Sequence, residues 1–371
     1  PEVGGLSNLI VQAQANTSFD VLAFVPITWD AESLFGIGWS TFAGISASTF
    51  GAYVFLQWWT FRRSDGGGEF IQRLAASKDE DEAVKAAWLF NFMHYVVRTW
   101  PWILVALAAL VIYPELQDKE LGYPMLMLDF LPVGLLGLVV ASLFAAFMST
   151  VSTNINWGAS YVVNDLYRRF VNPEASQSQL IRVGRIASVV ITGFGALAAF
   201  YSDSVGQVFR LVIAIGTGPG VVLILRWFWW RVNAWAELSA MIAGFSIGLF
   251  TTLVPELTIE DFGIRLFVIV LITTAIWLTV MFSTKPEEEE VLLKFYEKVR
   301  PAGPGWKHIS TRAQVSFESH LGKDILRVIS ASMILFGLMF GIGGLLLMKS
   351  GVAITMLLTA AVGTILIRWL K

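Results

Sequence analysis

The sequence contains no cysteine, which removes both a disulfide framework and a thiolate metal site. It has three histidines, His94, His308 and His320, and none shows the His-Glu-x-x-His spacing of a zinc site. Charge is scarce as well. Charged residues make up 15% of the chain, against roughly 25% in an ordinary soluble domain. The formal net charge is −2 and no basic tail or arm is present, so no nucleic-acid partner is expected. The Gly66-Gly67-Gly68 run lacks the Gly-Lys-Ser/Thr ending and the preceding strand of a phosphate cradle. No hydrolytic or redox constellation is found, and the chain is read as a non-enzyme. It opens on Pro1-Glu2-Val3-Gly4-Gly5, with no initiator Met, basic n-region or cleavable signal, and is read as a piece of something longer.

What the chain does hold is apolar length. Hydrophobic residues make up 56% of it, mean hydropathy is +0.65, and the 15 Trp and 27 Phe suit interfacial aromatic belts. A membrane-crossing helix needs about 20 mostly apolar residues. Nine runs of that kind occur, at 36–61, 86–113, 132–164, 181–201, 205–229, 233–254, 264–283, 328–348 and 351–370. The expected class is an all-α polytopic membrane protein.

The cations give an independent test of that count, because Lys and Arg favour cytoplasmic loops. They gather in alternate connections: 62–85, 165–185, 226–231, 284–327 and the tail at Arg368 and Lys371. Outside these sets lie only Lys119, Arg265 and Lys349 in the opposite loops, with Arg98 and Arg210 inside apolar runs. Nine spans with this phase place residue 1 outside and residue 371 in the cytoplasm. The expected location is the cell inner (plasma) membrane, with the lipid bilayer as partner. Segment 284–327 opens on Glu287–Glu290 and continues Val291-Leu292-Leu293-Lys294-Phe295-Tyr296, the spacing of a short amphipathic helix. It is read as a solvated cytoplasmic connector rather than a regulatory module.

The third run changes character half-way. Ser149, Thr150, Ser152, Thr153, Asn154 and Asn156 are six hydroxyl or amide side chains within eight positions, and hydrocarbon offers them no partner. At 100° per residue Ser149, Thr153 and Asn156 share one face, flanked by Thr150 and Ser152. That face has to turn inward. It can hold a small hard cation through oxygens, or it can tie helices together, as Ser, Thr and Asn often do in membranes.

Leu131-Pro132-x-Gly134-x-x-Gly137-Leu138, the following small residues, Met148-Ser149-Thr150, Asn156 and Asp165-x-Tyr167 resemble the signature of the sodium/solute symporter family of sodium–glucose, sodium–galactose and sodium–proline cotransporters. Gln72-Arg73, Trp100-Pro101-Trp102-Ile103, Tyr113-Pro114 and the stretch Arg226–Glu237 agree with it, and the likeness runs from about 36 to 240. The resemblance implies a five-plus-five inverted-repeat fold with ions and substrate at the midplane. This chain would then carry the second repeat (36–230, five spans) and four trailing helices. Those are two spans in 231–284 and two terminal spans in 328–371, joined by the cytoplasmic connector 285–327; residues 1–35 form an extracellular connector. The amino-terminal repeat of the same protein would be missing.

The resemblance also places the family's sodium site on Ala146 (carbonyl), Ser149 and Thr150 (hydroxyls), with further oxygens from the missing repeat. A sugar-contacting lysine of the family falls on Arg98, the aromatic gate on Trp58 or Trp59, and a sugar-contacting glutamine on Leu211, beside Arg210. Arg98, Trp58 and Arg210 are therefore the candidate substrate contacts. Interfacial anchoring is the alternative role for the tryptophans, and packing or snorkelling for the arginines. The two arginines favour a small polar solute that is anionic or zwitterionic over a sugar. Gly216-Thr217-Gly218-Pro219-Gly220 is expected to break the fifth span, for a cavity or as a packing kink. The implied function is sodium-coupled symport with Na⁺ as coupling ion and no other cofactor. A non-transporting sensor on the same fold, or a proton-coupled carrier, is the alternative. Asp129 and Asp165 are poorly placed for carrying a proton.

Overall fold

A computed structural model describes residues 3–18, 20–24, 27–29, 37–39, 46–56, 68–202, 204–315 and 320–370. Eight helices in it are long and apolar enough to cross a membrane, and the chain is an all-α polytopic membrane protein. The one sheet among the described residues is a hairpin of two three-residue strands, β1 (Ile27–Trp29) and β2 (Ile37–Trp39). Eight of the nine apolar runs coincide with these helices. The run at 36–61 differs: it holds β2 and a nine-residue helix, α2 (Ala47–Phe55), while 40–45 and 57–67 lie outside the described residues.

The chain forms two compact units. One consists of Pro1–Glu115 together with Arg210–Lys371, the other of Leu116–Phe209. In the first, α1 (Leu6–Ala15) lies on α5 (Thr99–Ile112), burying Leu9, Ile10 and Ala13 with Trp100 and Leu107. Before α5 come α3 (Gly68–Ala75), α4 (Glu80–Asn91) and a π-helical turn, Phe92–Val97. Further along the chain this unit contains α10 (Ala234–Leu253), α11 (Phe262–Ser283), α12 (Glu289–Val299), α13 (Lys307–Arg312), α14 (Leu321–Leu346) and α15 (Ser350–Trp369).

The last two helices pack closely because glycine lets their backbones meet. A Cβ at Gly337 would stand 2.7 Å from the Met356 carbonyl oxygen, and one at Gly344 would stand 2.6 Å from the Ala353 nitrogen. At Gly343 a Cβ would overlap the Trp100 ring, whose Nε1 donates to the Met339 carbonyl at 2.9 Å. Helix α9 (Val205–Leu225), whose residues from Arg210 onward belong to this unit, carries Pro219 without interruption. Proline has no N–H for the Ile215 carbonyl, and that oxygen lies against Gly244 of α10.

Residues 285–315 depart from the expected solvated connector. Leu292 and Tyr296 of α12 bury against Trp306 and Ile309. Trp306 Nε1 donates to the Arg226 carbonyl (3.2 Å), and the Gly305 N–H donates to the Phe228 carbonyl (3.0 Å). A Cβ at Gly303 would overlap Phe228, so only glycine permits this approach. Asn233 donates to Thr284 Oγ1 and to the Lys285 carbonyl, both at 2.8 Å, and Arg231 donates to the Thr284 carbonyl at 2.7 Å. The connector is a folded clasp over the turn between α9 and α10.

In the second unit, α6 (Gly122–Phe130) leads through Leu131-Pro132 into α7 (Val133–Ser160), which continues as an eleven-residue π-helix, Tyr161–Val171. Pro132 sits at the position before the helix, where its missing N–H costs nothing. Helix α8 (Gln177–Phe200) starts on a capping box in which Ser176 and Gln179 each bond the other's backbone N–H. It returns along α7, with Gly158 against Ile191 and Gly184 against Val163.

Candidate functional site

Ala146, Ser149 and Thr150 occupy one turn of α7, and all three are exposed. The neighbouring polar side chains turn back on the helix itself. Thr153 Oγ1 donates to the Ser149 carbonyl at 2.8 Å, Asn154 Nδ2 to the Thr150 carbonyl at 2.9 Å, and Asn164 Nδ2 to the Ser160 carbonyl at 3.1 Å. This local bonding satisfies amide and hydroxyl donors that hydrocarbon would leave bare. The hydroxyls of Ser149 and Thr150 have no such partner among the described residues. They and the second lone pair of the Ala146 carbonyl offer neutral oxygens on one face, a donor set suited to a hard monovalent cation.

Arg98 follows the π-helical turn Phe92–Val97, where its N–H reaches back five residues to the Met93 carbonyl (3.0 Å). Its Nη2 lies 3.2 Å from His94 Nε2, and His94 stacks on Phe90. Such insertions re-aim the side chains that follow them. Arg210 lies over the ring of Phe262 instead, at 5.8 Å. The two arginines thus have separate neighbours and are not brought together. Trp58 and Trp59 lie outside the described residues.

Sequence reasoning missed a polar knot at the start of α11. Asp261 caps that helix through the Ile264 N–H (2.8 Å) and accepts from the hydroxyls of Ser46 and Ser48, the latter at 2.7 Å. Thr49 Oγ1 accepts from the Gly263 N–H at 3.1 Å. The Ser46 hydroxyl, the Ile264 N–H and the Ser48 hydroxyl hold the Asp261 carboxyl below its ordinary value of 3.8. An Asp immediately before an apolar run is a cap signal, so half of this knot was readable; the serines, more than 200 residues away in sequence, were not. Beside the knot an open groove of about 410 Å³ runs between α2 and α11, lined by Ser48, Ala52, Phe55, Leu56, Ile264 and Phe267. Its walls are almost wholly apolar among the described residues, and the Ser48 hydroxyl is already given to Asp261.

A model of the "Sodium:solute symporter family" matches residues 34–244. The chain belongs to the sodium:solute symporter family. That match takes in α7 and the candidate cation residues, and the family is one of transporters rather than enzymes. Among similar proteins is the "Sodium/glucose cotransporter" of Vibrio parahaemolyticus, 28% identical over 54% of this chain and 39% of the relative. The "Sodium/mannose cotransporter SLC5A10" of Bos taurus is 31% identical over 38% of this chain and 24% of its own length. The "Osmoregulated proline transporter OpuE" of Bacillus subtilis (strain 168) is 33% identical over 29% of the chain and 22% of the relative. The matched part of this symporter-family chain therefore spans less than half the length of each of these relatives.

Proposed function

We propose that the protein works as a sodium-coupled symporter of a small polar solute across the inner (plasma) membrane, with its carboxy-terminus in the cytoplasm. Ala146, Ser149 and Thr150 bind Na⁺ in transit. Arg98, Arg210 and Trp58 contact the solute, and the two cations favour an anionic or zwitterionic one. Residues 36–230 act as the second of two inverted repeats, and the first repeat of the same protein supplies the remaining oxygens around the ion. The observation that carries this reading is a pair of hydroxyls, Ser149 and Thr150, without a partner among the described residues, on a helix long and apolar enough to cross a membrane.

The geometry supports cargo binding rather than permanent retention. Neutral hydroxyls and a carbonyl hold a cation without a carboxylate's full charge, so the ion leaves readily on the low-sodium side. The solute follows as the site opens to that side, because each ligand favours the conformation in which both are held.

The test is uptake of a labelled solute panel (L-proline, D-glucose, myo-inositol) by the full-length protein in proteoliposomes, with an imposed sodium gradient. The double variant Ser149→Ala with Thr150→Ala is expected to raise the sodium concentration for half-maximal uptake by about tenfold or more, the loss of one to two charge-assisted contacts. Uptake that proceeds equally well without sodium removes the proposal.

A further inference from the structure

We infer that Arg210 and Arg265 form a binding site for an oxyanion, a carboxylate or a phosphate, where α9 and α11 begin. Arg210 lies in the second turn of α9 and Arg265 in the first turn of α11. Their guanidinium carbons stand 5.8 Å and 5.9 Å from the centroid of the same ring, Phe262, which is 5% exposed. The ring cannot easily move. It packs with Ile213 and Ala214 of α9, with Leu266 and Ile269 of its own helix, and 6.0 Å from the Tyr53 ring of α2.

Arg265 is also fixed. Its Nε and Nη2 both donate to the Ile259 carbonyl, at 3.0 and 2.7 Å, which sets the plane of the guanidinium and leaves Nη1 unused. Arg210 is exposed and makes no hydrogen bond or ion pair among the described residues. The two cations share the Phe262 environment, standing 5.8 and 5.9 Å from its ring centroid. No acidic side chain among the described residues pairs with either. The carboxylate next to the ring, Asp261, is occupied by Ser46, Ser48 and the Ile264 N–H.

Two guanidiniums on one rigid ring, with no counter-charge among the described residues, cost free energy that an oxyanion lying against both would return. A planar carboxylate or a phosphate matches their fork geometry. Loop topology gives no reason for the pair. On the proposed orientation they lie at the non-cytoplasmic end of their helices, where this sequence has few cations and where positive charge is disfavoured. The anion has two sources, a carboxylate on an arriving solute or the phosphate of a lipid headgroup. The proposed orientation enters only in naming the side of the membrane; the oxyanion site itself rests on the geometry.

The experiment is protection from phenylglyoxal, read at Arg210 by peptide mass spectrometry, on the full-length protein in phosphatidylcholine nanodiscs without sodium. Saturating propionate is expected to slow modification of Arg210 by at least about fivefold, as occupancy dictates, and propionamide is expected to leave it unchanged. If the lipid is the source, nanodiscs containing phosphatidylglycerol give the same protection with no solute added. Arg265→Gln is expected to abolish protection at Arg210, and Arg265→Lys to keep part of it. The wild-type comparison stands even where Arg265→Gln fails to fold. Equal modification rates with propionate, propionamide and both lipids overturn the inference, as does protection by propionamide. Protection that persists while uptake shows no sodium dependence keeps the oxyanion site and removes the symport reading alone.

Discussion

The clasp over the α9–α10 turn and the polar turn of α7 treat their polar groups in opposite ways. Several donors of the clasp find partners distant in sequence: Trp306 on Arg226, Asn233 on Thr284 and Lys285, Arg231 on Thr284. Ser310 and Thr311 bond locally to the Lys307 carbonyl, and Arg231 Nη1 is unpaired among the described residues. On α7 the bonds are local, and the two adjacent hydroxyls at 149 and 150 are left over. Polar side chains that answer one another across the fold hold it together. Those left open on a helix of membrane-spanning length are costly for the fold, a cost that the proposed cation would offset.

That contrast can be broken by mutation. The largest effect is expected at Trp306→Ala, which empties a buried ring site and strips a hydrogen bond from the turn. Loss of about 3–5 kcal/mol, read as a lower melting temperature in detergent, is the expected outcome. A clasp that melts with unchanged temperature would show it to be ornamental. Next comes Asp261→Ala, which removes a helix cap and two hydroxyl bonds and is expected to cost about 2–3 kcal/mol by the same measurement.

Asp261 carries a pH dependence too. Its folded carboxyl is held below the ordinary value of 3.8, so its contribution is fully present above that value. It is lost as pH falls through the lower folded value. Asp261→Ala should therefore flatten the wild-type loss of stability below about pH 4. Removing the Arg226–Glu237 ion pair (3.1 Å) comes third; both side chains are about one-third exposed, and Arg226→Ala should cost under about 1 kcal/mol. The smallest effect is expected at Ser149→Ala with Thr150→Ala, within about 0.5 kcal/mol of wild type. A large destabilisation there would erase the contrast, because those hydroxyls would then be part of the fold.

Much of the architecture could be read from hydropathy, since a run of 20 apolar residues has few other destinations. The amphipathic spacing at 289–299 likewise became α12 where the sequence suggested it. Helix ends were less legible. The third run was bounded at 164, yet the helix continues to Val171 in π register, because a shift from four- to five-residue bonding leaves no trace in residue type. The same holds for the turn before Arg98. The clasp escaped notice for another reason: Trp306 and Arg226 are 80 positions apart, and one sequence shows no pairing at that distance. Of the candidate site, the polar turn of α7 was visible as chemistry out of place. The Arg210–Arg265 pair was not, because it needs Phe262 to bring two helices to one ring.

Trp100 inside the hollow at Gly343 sets a condition on rebuilding this chain from parts. The ring belongs to the stretch shared with other symporters and the hollow to a helical pair beyond it. A terminal pair borrowed from a relative will seat only if it brings the same dent at the same height. A donor with alanine there would need a smaller side chain at position 100, so the two sites are expected to be exchanged together or not at all.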